Sequence, residues 1–272
     1  MFSEKRLIKL TRDLIKIDSQ NPPGDEKAIA CHVRDFFAES RLPTRLIQFG
    51  KNRYNTITVI KGKSSKKSLL VTPHLDTVPF GRNWKYPPLS AHISQGRIYG
   101  RGATDCKGNL AVGMQVVRDL VDEGLLLNYD IIFCATADEE AGSYHGLIPL
   151  LEKKYIRPSY ALILDSNEAD IIITQKGLLH IKVEIEGKKA HGAYPDRGIN
   201  AIDLALDFIK KLKKVKFPKK RHKLLKPTTI NIGAIKGGDK VNMVPDWCEV
   251  EIDIRYLSGM SRNLILKKYD RF

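Results

Sequence analysis

The chain has 272 residues, long enough for one large domain or two ordinary ones with separate buried cores. Hydrophobic residues make up 42% and charged residues 28%, a folded globular balance that excludes a disordered or membrane-embedded chain. No stretch reaches the ~20 unbroken apolar residues of a membrane-spanning helix, so a membrane partner is not expected.

The opening segment MFSEKRLIKLTRDLIKI scatters charges among its apolar positions and lacks the apolar block of a secretory signal. Leu7, Leu10, Leu14 and Ile17 recur at helical spacing and predict an amphipathic helix. A turn-rich loop, SQNPPGDE, leads to a second helix over residues 26–40. Apolar or β-branched runs at 55–61 and 69–72 read as strands, and 79–101 reads as irregular. A helix is expected over 108–123. Two further strands, 130–136 and 160–164, flank a helical segment at 143–153. Strands that alternate with helices, each a continuous apolar run, predict an α/β domain with a mainly parallel sheet covered on both faces.

The pattern changes near Gly177, which divides the chain into domains 1–176 and 177–272. LLHIKVEIE (178–186) alternates apolar and polar residues, as do 228–235 and 247–255. An amphipathic helix over 199–212 carries Ile202, Leu206 and Ile209 on one stripe, and another helix begins at 261. This β-α-β-β-α order needs one more strand to complete a ferredoxin-like sandwich, so the second domain is expected to break off inside its final unit.

Cys31, Cys106, Cys134 and Cys248 are widely spaced and form no CxxC pair. That spacing argues against a disulfide framework or thiolate zinc and for a reduced, cytoplasmic setting. The formal net charge of +15 concentrates in Lys61–Lys67 and in KKLKKVKFPKKRHKLLK, residues 210–226. A nucleic-acid patch is one reading and a solvated lysine-rich face the other. Few aromatic residues interleave with the lysines, which favours the solvated face and disfavours nucleic acid as a partner.

Three segments carry chemistry. His74-Leu75-Asp76 follows the strand-like SLLVTP, and residues two apart in an extended chain face one side. A metal-binding imidazole needs its other N–H held, which Asp76 can do. GRGATDCKG, Gly100 to Gly108, sets glycines, Lys107 and Asp105 at a helix entry. A phosphate-cradling loop is a competing reading, although the spacing departs from GxxxxGK[ST] because Gly108 follows Lys107. Asp138-Glu139-Glu140 follows DIIFCATA, and Asp165 ends YALILD. Carboxylates at the ends of buried strands are costly unless cations or donors neutralise them, and α/β proteins place ligands there. An oxygen-rich set with one imidazole suits zinc, manganese or cobalt as a hydrolytic Lewis acid.

HLDTVP, GRGATDCKG, ADEEAGS, KKAHGAYPDRGINAI and GGDKVNMVPD, in that order, resemble the two-zinc amidohydrolase and peptidase family. That family contains acetylornithine deacetylase, succinyl-diaminopimelate desuccinylase, aminoacylase and glutamate carboxypeptidase. The resemblance implies a zinc-peptidase α/β domain with an inserted ferredoxin-like lid used for dimerisation. It implies hydrolysis of an amide bond in an N-acyl amino acid or small peptide. It further implies two divalent ions, zinc foremost, with His74 and Asp165 on the first, Glu140 on the second and Asp105 bridging. Glu139 is then the general base and Asp76 the residue that orients His74. His191 resembles a lid histidine that stabilises the oxyanion, while Asn242 and Arg255 resemble residues that hold the substrate's polar groups and carboxylate.

The chain departs from the family pattern at its end. The resemblance places the second metal's histidine after the lid, and no histidine lies beyond His222. The second metal site is therefore expected to be incomplete and some apolar sheet edges exposed. A non-catalytic remnant that dimerises or binds one metal is the alternative, and a basic nucleic-acid-binding protein a third.

Overall fold

A computed structural model describes residues 3–165, 171–215, 222–257, 259–260 and 262–269. The chain packs as two compact units, Met1–Asp170 and Ile171–Phe272, so the change of sequence pattern at Gly177 falls just inside the second.

In the first unit, in chain order, come α1 (Glu4–Lys16), α2 (Lys27–Ala38), β1 (Thr44–Gly50), β2 (Arg53–Ile60) and β3 (Ser64–Thr72). A short hairpin follows, β4 (His92–Ser94) with β5 (Arg97–Tyr99), inside the region expected to be irregular. Then come α3 (Lys107–Asp122), β6 (Tyr129–Phe133), α4 (Leu147–Glu152) and β7 (Tyr160–Ile163). The sheet order is β1-β2-β6-β3-β7. β3 pairs parallel with both β6 and β7, whereas β2 pairs antiparallel with β6 and with β1. The sheet is thus mixed: continuous apolar runs report burial on two faces and do not encode strand direction.

Helices cover both faces. Leu10 and Leu14 of α1, Val33 and Phe37 of α2, and Leu110 and Met114 of α3 form one core with Phe133. On the other face Ile47, Ile57, Leu70 and Cys134 pack with Leu150 of α4. Ser3 starts α1 by accepting the Arg6 N–H, which satisfies one of the orphan donors of the first turn. The edge strand β7 leaves Tyr160, Leu162 and Ile163 exposed.

The second unit contains β8 (Gly177–Glu186), β9 (Ala190–His191), α5 (Ala201–Lys213), β10 (Thr229–Gly237), β11 (Met243–Val244), β12 (Trp247–Tyr256) and α6 (Arg262–Tyr269). Its main sheet is antiparallel in the order β10-β12-β8. The alternation seen in the sequence sorts the faces. Leu179, Val250, Ile252 and Ile254 bury against Ala201, Ala205 and Leu212 of α5 and Ile265 of α6. The opposite face carries charged ladders such as Lys182–Glu249 and Lys236–Glu251. This is the ferredoxin-like β-α-β-β-α arrangement expected of the segment.

Asn200 caps α5 by accepting the N–H groups of Ile202 and Asp203. Lys210, Lys211 and Lys213 sit in its last turn, where cations favour the carbonyl end of a helix. The start of the lysine-rich stretch is therefore ordinary helix chemistry, and its residues 216–221 lie outside the described residues. All four cysteines are free, and Cys106, Cys134 and Cys248 are buried. Among the described residues no helix is long and apolar enough to cross a membrane.

Candidate metal centre

Because β6, β3 and β7 run parallel, their carboxyl ends lie on one side of the sheet. His74 follows β3, Asp138, Glu139 and Glu140 follow β6, and Asp165 follows β7. Backbone pairing continues past the strands: Leu75 donates to Thr136 O (2.7 Å) and Thr136 to Pro73 O (3.0 Å). The turn bearing His74 is thereby tied to the segment leading to Glu139.

Asp105 arrives from the glycine-rich loop. Gly102 adopts φ +79, a conformation that side chains rarely adopt, and accepts the Lys107 N–H at 2.8 Å. A Cβ at Gly108 would lie 2.4 Å from Ala103 O, so the helix can start this close to the loop only with glycine there. Lys107 is 1% exposed and donates through Nζ to Ile17 O at 2.6 Å. Burial lowers it to about 8. Its ammonium is committed to the fold, which removes the phosphate-cradle reading of this loop.

His74 Nε2 lies 2.8 Å from Asp105 Oδ1 and 3.8 Å from Asp165 Oδ1. One ligand atom from each of the three residues falls within 4.8 Å of the others. His74 is 2% exposed, and its Nδ1 sits 2.9 Å from the main-chain oxygen of Asp76 and 3.5 Å from Asp76 Oδ1. Burial opposes a charge on the ring, but Asp76 and the Cys106 sulfur beside it outweigh that and push it up to about 12. An imidazole nitrogen and two carboxylates, with the ring's other nitrogen held, are a donor set that fits a divalent cation.

Asp76 also contacts the turn after β6. Its Oδ1 accepts the Glu139 N–H (3.0 Å), and its Oδ2 accepts the Glu140 N–H (3.1 Å) and Asn21 Nδ2 (2.9 Å). Burial alone would raise this carboxyl, but hydrogen bonds from His74 and Asn21 hold it below the usual carboxylate range. The Glu139 side chain is exposed and that of Glu140 partly so. Partial desolvation, reinforced by Asp165, Asp76 and Asp105, raises Glu139; desolvation and Asp105 raise Glu140. Among the described residues the three-ligand cluster does not include Glu140, whose Oε1 accepts the Val78 N–H at 3.2 Å.

Three buried polar residues lie behind the site, Asn21, Arg53 and Glu26, and the sequence reading assigns none of them a role there. Arg53 opens β2, and because β2 runs antiparallel to β6 its first residue lies at the end of the sheet that carries the centre. Asn21 and Glu26 lie in NPPGDE, which resembles the deacetylase and desuccinylase branch without naming a ligand, and an arginine ahead of an apolar run carries no signal of its own.

In the second unit His191 and Asn242 come together. His191 pairs with Met243 across β9 and β11, Asn242 O accepts the Gly192 N–H (2.9 Å), and His191 Nδ1 accepts the Ala193 N–H (3.1 Å). Arg255 lies near the far end of β12, roughly 25 Å of strand beyond Trp247. Its Nε donates to Asp253 Oδ1 at 2.9 Å.

Residues 173–272 match the model of the peptidase dimerisation domain, and residues 55–148 match that of peptidase family M28. A probable succinyl-diaminopimelate desuccinylase of Staphylococcus aureus is 28% identical, aligning over 93% of this chain and 69% of the relative. Acetylornithine deacetylase of Klebsiella pneumoniae is 35% identical over 72% of this chain and 52% of its own length. An M20 family metallo-carboxypeptidase from Sulfolobus solfataricus superposes with a TM-score of 0.79 at 20% identity, covering 99% of this chain and 75% of that one. An aminopeptidase from Bacillus cereus gives 0.71 at 22% identity, covering 99% and 71%. The solved structures establish the fold. With the deacetylase and desuccinylase relatives and the match to the dimerisation domain, they make the chain similar to the M20 metallopeptidases.

Proposed function

We propose that the protein hydrolyses the amide bond of an N-acyl amino acid or small peptide, using divalent cations at the centre built on His74, Asp105 and Asp165. The observation that carries this reading is the convergence of those three ligands within 4.8 Å, with Glu139 on the adjoining turn. When bound, the cations, zinc foremost, would supply a Lewis acid that polarises the scissile carbonyl and makes water acidic enough to attack at neutral pH. His74 and Asp165 are assigned to the first ion, Glu140 to the second and Asp105 to the bridge between them.

Glu139 takes the proton of the attacking water and delivers it to the leaving amine, which needs only hydrogen-bond reach and a free carboxylate. Asp76 holds the backbone of Glu139 and the ring of His74 at the same time, so base and ligand keep a fixed relation. The family resemblance assigns His191 to the oxyanion, Asn242 to polar groups of the substrate and Arg255 to its carboxylate, for which a guanidinium fork is suited. It also assigns the second unit to homodimerisation, in line with its match to the dimerisation domain. Sedimentation of the purified chain tests that assignment.

A second reading, one bound cation without turnover, is favoured by the absence of Glu140 from the described ligand cluster. Zinc titration of the metal-stripped chain, paired with hydrolysis assays on N-acyl amino acids and dipeptides, separates the two. Two ions per chain with turnover support hydrolysis. One ion and no turnover support the second reading, and no ion removes both.

A further inference from the structure

The residues that hold Asp76 are themselves held. Asn21 Nδ2 donates both to Asp76 Oδ2 (2.9 Å) and to Asp138 Oδ1 (3.1 Å). The same Asp138 oxygen receives Arg53 Nη2 at 2.7 Å, while Asp138 Oδ2 receives the His145 N–H at 3.0 Å. Arg53 Nη2 also lies 2.8 Å from Glu26 Oε1. Asn21, Glu26, Arg53, Asp76 and Asp138 are all less than a tenth exposed.

Space for the guanidinium is built in. Gly24 has φ +84, and a Cβ there would fall 1.8 Å from Arg53 Nη1, in the volume that the side chain occupies. Asp138 has φ +66, a left-handed conformation that costs free energy for a residue with a side chain. Its carboxylate is tied down by three donors, which maintain the turn and set the path of the next residues, Glu139 and Glu140.

We propose that Arg53 is a positioning residue for the metal centre, acting through Asn21 and Asp138 to fix the Asp76 carboxylate and, with it, the His74 ring and the Glu139–Glu140 turn. Three buried carboxylates meet here, and Arg53 is the fixed cation against Asp138 and Glu26. Without it, the mutual repulsion of unpaired buried carboxylates pulls Asp138 away from Asn21 and loosens Asp76. Partners of this kind set ligand orientation, and their loss typically lowers metal affinity about 10- to 100-fold. The proposal rests on the metal-centre reading above, and it extends that reading to a residue on the antiparallel part of the sheet.

The test compares wild type with Arg53→Met, Arg53→Lys, Asn21→Ala and Asp130→Asn. The last removes a carboxylate that pairs with Lys61, Gly62 and Ser65 on the same sheet and has no link to the centre. Two readouts are used: the zinc dissociation constant, and the hydrogen-bonded ring N–H resonance of His74 in the metal-free protein. Arg53→Met and Asn21→Ala are expected to weaken zinc by about 10- to 100-fold and to shift or broaden the His74 resonance. Arg53→Lys is expected to recover part of both, and Asp130→Asn to lower the melting temperature with both readouts unchanged. If Arg53→Met and Asn21→Ala leave the His74 resonance in place, or change zinc affinity less than threefold, Arg53 is a structural residue only. If wild type binds no zinc, the metal-centre reading falls, and the resonance still decides whether Arg53 positions His74. Should Arg53→Met not fold, Asn21→Ala and Arg53→Lys carry the same decision.

Discussion

Asp76 and Glu139 are joined by a single hydrogen bond, the Glu139 N–H on Asp76 Oδ1 at 3.0 Å, and that same oxygen lies 3.5 Å from His74 Nδ1. Asp76 thus sets the place of the proposed base through its carboxylate and meets the ring of the proposed ligand through both its main-chain oxygen (2.9 Å from His74 Nδ1) and that carboxylate. Asp76→Asn leaves the shape but offers an amide where two N–H groups need acceptors. Zinc affinity is expected to fall about 10- to 100-fold by titration. Any hydrolytic rate should fall with it, in kcat as well as KM.

Glu139→Gln separates base from ligand. The hydrolysis rate on N-acyl amino acids is expected to drop about 100- to 10,000-fold, the range for loss of a general base. Zinc stoichiometry and affinity should stay within threefold of wild type. An equally large loss of zinc would show that Glu139 is a ligand and that the assignment of roles is wrong.

Glu26 gives a pH-dependent stability. It is fully buried, and neither of its oxygens finds a well-aligned donor although Arg53 lies beside it. Desolvation raises its carboxyl to about 7; Arg53 opposes the shift and Asp76 adds to it. A raised folded-state acid holds its proton while the unfolded chain has already lost it. Below about pH 4.5 both states are protonated and Glu26 makes no difference; between there and about pH 7 its contribution falls, then levels off. The loss is on the order of 3 kcal/mol. Glu26→Gln should flatten this slope in chemical denaturation at pH 4 to 8, with the variant's gain over wild type largest at pH 8. Parallel curves for the two proteins would refute the assignment.

The second unit can be perturbed by itself. Asn200→Ala removes the acceptor for two N–H groups at the start of α5 and is expected to cost about 1 kcal/mol. Hydrogen exchange should rise in α5 and the strands it covers, while zinc affinity of the first unit stays at the wild-type value.

In the first core, Leu14 is fully buried against α2 and α3. Leu14→Ala should cost about 2–5 kcal/mol, read as a lower denaturation midpoint with an unchanged slope.

Much of this protein was legible in its sequence because the relevant signals are local. Periodic apolar residues marked α1, α2, α3 and α5 within a few residues, since burial of one helix face forces that spacing. Alternation in 178–186 and 247–255 showed which face of the second sheet is wet. Polar residues at the ends of apolar runs located His74 and Asp165, because parallel strands deliver their carboxyl ends to one place, and the glycine-rich helix entry located Asp105. β1 and the β4–β5 hairpin escaped notice: TRLIQFG mixes charge and glycine, and three-residue strands carry too little pattern. What only the tertiary structure decided was strand direction, and with it the company that Asp76 keeps. A reversed β2 brings Arg53, at the beginning of its strand, to the end of the sheet where the other strands finish. Contacts such as Asn21 to Asp76, 55 residues apart, depend on loop paths and packing that no local pattern records. Local chemistry names the residues able to bind a cation, while the fold alone chooses the buried charges that hold them in place.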